Sequence, residues 1–96
     1  MAEIVWTERA RLDLQEIVEY ISRDSKAYAQ SFALLMREKV ERLRSFPESG
    51  PVIPEDRNGM IRQMTVGNYR VLYRNSETEV FIVTLVHGAR NIGPSA

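Results

Sequence analysis

The sequence predicts an α+β domain in which a short N-terminal strand and an antiparallel two-helix hairpin precede a three-stranded antiparallel sheet, and three observations predict it. Two apolar stripes at helical spacing occupy the first half, with only Asp24-Ser25-Lys26 between them. The stretch from Pro47 to Gly59 (PESGPVIPEDRNG) holds three of the four prolines and two of the five glycines, the composition of an ordered loop of turns. Beyond it, three segments alternate or run apolar and are joined by compact connectors.

Taken in order, Glu3 to Trp6 is a short apolar strand candidate. Thr7 caps the following helix, because its hydroxyl oxygen accepts an orphan amide hydrogen bond, and Glu8 suits the positive end of the first turn. Ala10, Leu14, Ile17, Val18 and Ile21 then form one stripe, predicting a helix from about Glu8 to Ser22. Ala29, Phe32, Ala33, Met36, Val40 and Leu43 form a second stripe that ends near Ser45-Phe46-Pro47, and a break this short between helices implies a hairpin. The later segments are Met60 to Val66, Tyr69 to Asn75 and Val80 to His87, so that Val66-Gly67-Asn68-Tyr69 and Asn75-Ser76-Glu77-Thr78 make an antiparallel meander. Val80-Phe81-Ile82-Val83 has apolar residues of both parities, which places it as a central strand covered on both faces. Residues 1–96 read as one domain.

Composition removes several function classes. Ninety-six residues, 44% of them hydrophobic, suffice to bury a core without metal or disulfide support. No cysteine and a single histidine leave no thiolate nucleophile, no cysteine-ligated zinc and no imidazole cage, so neither a metal nor another cofactor is expected. The start has no basic segment before an apolar one, and no apolar run approaches the ~20 residues of a membrane span, so the expected location is cytoplasmic, with no membrane partner. Thirteen basic side chains balance thirteen acidic ones, but Arg62, Arg70, Arg74 and Arg90 face only Glu77 and Glu79 from Gly59 onward. That mild excess suits a local anion site rather than a broad nucleic-acid surface.

Chemistry concentrates in Tyr69-Arg70-Val71-Leu72-Tyr73-Arg74. Alternation puts Arg70, Leu72 and Arg74 on one face and assigns Tyr69, Val71 and Tyr73 to burial, since a core face rejects guanidinium. The arginine face then meets phosphate, carboxylate or a protein partner, or is solvated and paired with Glu77 and Glu79. Arg70, Arg74 and His87 are the candidate catalytic residues if the chemistry is phosphoryl transfer, the arginines stabilising charge and the imidazole moving a proton. For His87, in an apolar run, a structural hydrogen bond is the competing role, and for Arg90 solvation. Leu12 and Leu34 fall roughly 160° from their helices' apolar stripes. They are either scattered surface leucines or contacts for an amphipathic partner segment.

The chain also resembles the ParE/RelE superfamily of bacterial type II toxins. The resemblance rests on Trp6-Thr7, Ala10, Asp13-Leu14, Ile17 and Tyr20-Ile21 in the first helix, Leu43, Pro47 and Gly50 at the helix exit, and Tyr69 to Arg74 and Val86-His87-Gly88-Ala89-Arg90 in the last two strands. It implies a strand, two antiparallel helices and a three-stranded antiparallel sheet, in agreement with the pattern above. In the RelE-like branch, which cleaves messenger RNA on the ribosome, Arg70 would match a phosphate-stabilising arginine. That branch typically carries lysines where this chain has Ile61 and Gln63, and a C-terminal tyrosine or histidine-tyrosine pair where this chain ends Asn91-Ile92-Gly93-Pro94-Ser95-Ala96. The His87-Gly88-Ala89-Arg90 ending resembles the ParE branch, whose toxins inhibit DNA gyrase by protein contact and trap DNA breaks. The expectation is therefore a gyrase-inhibiting toxin of a chromosomal or plasmid-stabilisation pair, with a ribosome-dependent mRNA endonuclease as the alternative. The resemblance further implies a cognate antitoxin whose disordered segment folds across the toxin, with Leu12, Leu34, Arg70 and Arg74 as candidate contacts, and whose complex binds operator DNA through the antitoxin.

Overall fold

The computed structural model describes residues 1–88 and has the predicted order of elements. Strand β1 (Glu3–Trp6) leads into helix α1 (Glu8–Ser22) and helix α2 (Lys26–Glu41), which tightens into a 3-10 turn (Arg42–Arg44). Strands β2 (Arg62–Val66), β3 (Tyr69–Asn75) and β4 (Glu79–His87) follow the long loop. The helix starts form as their caps dictate: the Thr7 hydroxyl accepts from Ala10 N–H at 3.1 Å and the Ser25 hydroxyl from Tyr28 N–H at 3.1 Å.

Strands β2, β3 and β4 form the expected antiparallel sheet, and β1 joins it as a fourth strand. Its order is β1-β4-β3-β2, with β1 parallel to β4 through Ile4↔Val80 and Trp6↔Ile82, and the other two pairings antiparallel. A parallel pairing needs a crossover of a dozen or more residues, and the helical hairpin is that crossover. Strand β4 is central, as the mixed parity of its apolar residues predicts, with Val80 and Ile82 fully buried. Its register against β3 slips between Leu72↔Thr84 and Tyr73↔Ile82, so Val83 is an extra residue and the strand bulges there. Strand β2 begins at Arg62, two residues later than the sequence pattern sets it, because the backbone of Met60 and Ile61 is engaged by Asp56.

One layer of helix covers one face of the sheet. Ala10 and Leu14 of α1, Phe32, Met36 and Val40 of α2, and Leu43 of the turn pack with Val66, Val71, Tyr73, Val80, Ile82 and Leu85, while Ile17, Val18 and Ile21 lie at the margin. Where β1 ends, α1 takes over the edge of β4. The Thr7 hydroxyl donates to the carbonyls of Ile82 and Val83 at 2.7 and 3.0 Å, and the Asp13 carboxylate accepts from Leu85 N–H at 3.1 Å and from the Thr84 hydroxyl. Asp13 thus satisfies a ladder donor that no strand among the described residues reaches. The β2–β3 hairpin turns through Gly67 and Asn68 with positive φ at Gly67 alone (58°), the pattern of a type II′ loop. No helix among the described residues is long and apolar enough to cross a membrane.

Candidate functional site

The residues of β3 alternate as expected, and Arg70 lies on the face opposite the helices, beside Thr65 of β2 and Val86 of β4. That face is not open. The loop between α2 and β2 folds over it, burying Ile53, and Leu72 beneath is buried as well as Val71 and Tyr73. The loop is stitched to the sheet by Gln63 N–H donating to Pro51 O at 3.0 Å, Ile53 N–H to Ile61 O at 2.9 Å, and an isolated bridge between Val52 and Arg62. Arg62 adds a guanidinium bond to Gly50 O at 2.8 Å.

The tip of the loop is ordered by Asp56. Its carboxylate accepts from the backbone N–H groups of Asn58, Met60 and Ile61 at 3.1, 2.8 and 2.8 Å. Those donors, Ile61 and Met60 foremost, hold the Asp56 carboxyl below its usual range, because they bind the charged form better than the neutral one. Its neighbour Glu55 is thereby presented to Arg70.

Each nitrogen of the Arg70 guanidinium donates one hydrogen bond within the protein, three of its five N–H groups in all. Nη1 and Nη2 donate to the two carboxylate oxygens of Glu55 at 3.0 and 3.2 Å, a bidentate fork, and Nε donates to Gln63 Oε1 at 2.7 Å. The side chain of Arg70 is 12% exposed and that of Glu55 23%. The partner is therefore neither Glu77 nor Glu79, and sequence reasoning missed it: Glu55 lies 15 residues away across a proline-rich loop, where no periodicity reports a contact. The Arg70 hydrogen bond first, then a backbone hydrogen bond, lowers the pKa of Glu55.

The other candidates separate in space. His87 lies beside Tyr69, ring centroids 5.5 Å apart and edge to face, and lines with Glu55, Thr65, Asn68 and Arg70 a shallow cleft of about 530 Å³. Arg74, four residues further along β3, is exposed near the far end of the strand, its guanidinium 5.8 Å from the Phe81 ring centre. Arg70 and His87 thus share a cleft that Arg74 does not line, and Arg90 and the tail 91–96 lie outside the described residues. Among the described residues no group of three or more His, Asp or Glu side chains is placed to hold a metal ion. On the helical side a groove of about 620 Å³ runs between Trp6, Leu14, Val18 and Ala33, with Arg11, Glu19 and Arg37 at its rim. Leu12 and Leu34 are 37% and 60% exposed and do not line it.

The lowered carboxyls set an acid limit on stability. A carboxylate whose folded pKa is depressed contributes stability that is complete above its unfolded value, about 4, and is lost as pH falls through the lower folded value. Denaturant midpoints measured from pH 6 down to pH 2 are expected to fall below about pH 4. Glu55→Gln and Asp56→Asn are each expected to flatten that fall and to lower the plateau at neutral pH; an unchanged acid limb in both variants would refute the assignment.

Comparison with known proteins bears on residues well beyond this cleft. Residues 4–92 match the family described as the ParE toxin of the type II toxin-antitoxin system, parDE. The chain is 34% identical over 91 residues to Toxin RelE2 of Caulobacter vibrioides, covering 94% of this chain and 99% of that one. A solved structure described as the chromosomal ParDE TA system from P. aeruginosa superposes with a TM-score of 0.72 at 20% identity, over 91% of this chain and 96% of that chain. The last of these establishes likeness of fold alone.

Proposed function

The chain belongs to the ParE/RelE superfamily of type II toxin-antitoxin toxins, and we propose that within it this toxin inhibits DNA gyrase by protein contact and is neutralised by a cognate antitoxin. The observation that carries the choice of target is the state of Arg70. A phosphate-stabilising arginine must offer its donors to the scissile group, whereas here three of the five N–H groups, including the whole Nη1/Nη2 fork towards Glu55, are bound internally and the side chain is nearly covered. Glu55 in that pair is a poor proton acceptor near neutrality, because Arg70 stabilises its charged form. Ile61 and Gln63 bring no cation to the neighbouring strand.

The second reading, a ribosome-dependent mRNA endonuclease, is favoured by one feature: a guanidinium, an imidazole and a carboxylate line the same cleft, in Arg70, His87 and Glu55. Metal-independent phosphodiester cleavage needs those three functions. It would require Glu55 to leave Arg70 when RNA binds.

For the antitoxin, the groove along α1 and α2 has the apolar floor and charged rim that receive an amphipathic helix. Leu12 and Leu34 are exposed and follow Arg11 and Ala33 of its lining in sequence, and Arg74 is accessible to an acidic antitoxin side chain. Arg70 accepts one only in exchange for Glu55. The complex is proposed to bind operator DNA through the antitoxin, since the toxin itself carries no net charge.

The test is a supercoiling and DNA-cleavage assay with purified gyrase, run beside a translation reaction whose message is mapped for codon-positioned cuts. Loss of supercoiling with accumulating cleaved DNA and intact message is the expected result. Cut message with unaffected gyrase would overturn the proposal in favour of the nuclease.

A further inference from the structure

We propose that Arg70 sits in a built oxyanion socket that Glu55 keeps closed in cis, and that withdrawal of the Glu55 side chain opens it to a small carboxylate or phosphate group. Contacts other than Glu55 also shape the socket. Gln63 fixes the guanidinium through Nε, strands β2 and β4 flank it through Thr65 and Val86, and the loop over it is braced by Asp56 and by Ile53 as well as by Glu55. Glu55 supplies two oxygens in the plane of the fork, the position any bidentate oxyanion would take.

Two further facts decide which partner moves. Glu55 is the more exposed of the two, so its carboxylate reaches water by rotating about its own side chain, whereas Arg70 is held from below by the sheet. Withdrawal leaves a largely covered cation without a counterion, an unfavourable state that an incoming oxyanion relieves. The cleft beside it has room for such a group, and Thr65, Asn68 and His87 line it with polar atoms. A free anion must compete with Glu55, so its apparent affinity in the native chain is reduced by the fraction of molecules in which the socket is open. The inference goes beyond the choice between gyrase and ribosome and does not depend on it, because it is read from anion binding alone.

The experiment follows the Arg70 Nε–H resonance during separate titrations with acetate and inorganic phosphate, at constant ionic strength, in the native chain, Glu55→Ala and Glu55→Gln. Both variants are expected to give a saturable shift at concentrations about tenfold or more below any response of the native chain. The thermal midpoint of Glu55→Ala should rise with the same concentration dependence. Adding Arg70→Ala to Glu55→Ala should abolish that midpoint response. A tighter response to acetate assigns the socket to carboxylates and a tighter response to phosphate assigns it to phosphate groups; either supports it. If Glu55→Ala does not fold in buffer, the isosteric Glu55→Gln decides. Equal titration of the native chain and Glu55→Gln, a folded Glu55→Gln with no saturable shift, or a response that survives loss of Arg70 would overturn the proposal.

Discussion

Gly50→Ala is expected to lower folding stability by about 3 kcal/mol or more, measured as a shift in denaturant midpoint at unchanged m-value. A Cβ on Gly50 would stand 2.1 Å from the backbone oxygen of Gln63 and 2.8 Å from the Tyr73 hydroxyl. The first contact is with main chain, so no rotamer change relieves it. The segment cannot slide away either, because Pro51 O accepts from Gln63 N–H, Gly50 O from Arg62, and Gly50 N–H donates to Tyr73 Oη at 2.9 Å. Tyr73 is fully buried, and its hydroxyl is where the long loop is pinned to the core. Tyr73→Phe removes that acceptor without a clash and should cost less, about 1–3 kcal/mol for the orphaned N–H. If Gly50→Ala were as stable as the native chain, the close passage of the loop against β2 would be wrong.

Arg70→Ala is expected to give the second large loss, through the loop rather than through catalysis. It removes the bond to Gln63, worth about 1 kcal/mol by itself. It also strips Glu55 of its bidentate partner, so the total loss should exceed that figure. Arg70→Lys should recover only part of the loss, since an ammonium cannot hold the fork and the Nε contact together. Arg74→Ala, on an exposed side chain, should stay within about 0.5 kcal/mol. Under the gyrase reading, folded Arg70→Lys retains inhibition of supercoiling in proportion to its folded fraction. A variant that kept full stability but lost all toxicity would instead make Arg70 a functional contact.

The contrast between Arg70 and Arg74 shows how far alternation carries. Period-two patterning put both on the face away from the helices, and the ladders agree. It said nothing of what covers that face, because coverage comes from a loop without periodicity. Leu72 was the available signal: an apolar residue between two arginines on one face marks a surface part of which is shielded. Asp13 shows the same limit on a helix. Its place in the first helix was visible, but its role at the β4 edge, 72 residues away at Leu85, depends on where β1 stops.

By itself the sequence determined the order of elements, the Thr7 cap and the apolar faces, because caps, periodicities and turn residues act over one to four positions and leave their mark in local order, while the toxin superfamily came from the resemblance of its ordered fragments to a known family. Only the tertiary structure decided that β1 joins β4 in parallel, that β4 bulges at Val83, and that Arg70 is bound to Glu55 and Gln63 under the loop. Those pairings join residues that are distant in the chain, and their free energy exists only once the hairpin has crossed over and the loop has closed on the sheet.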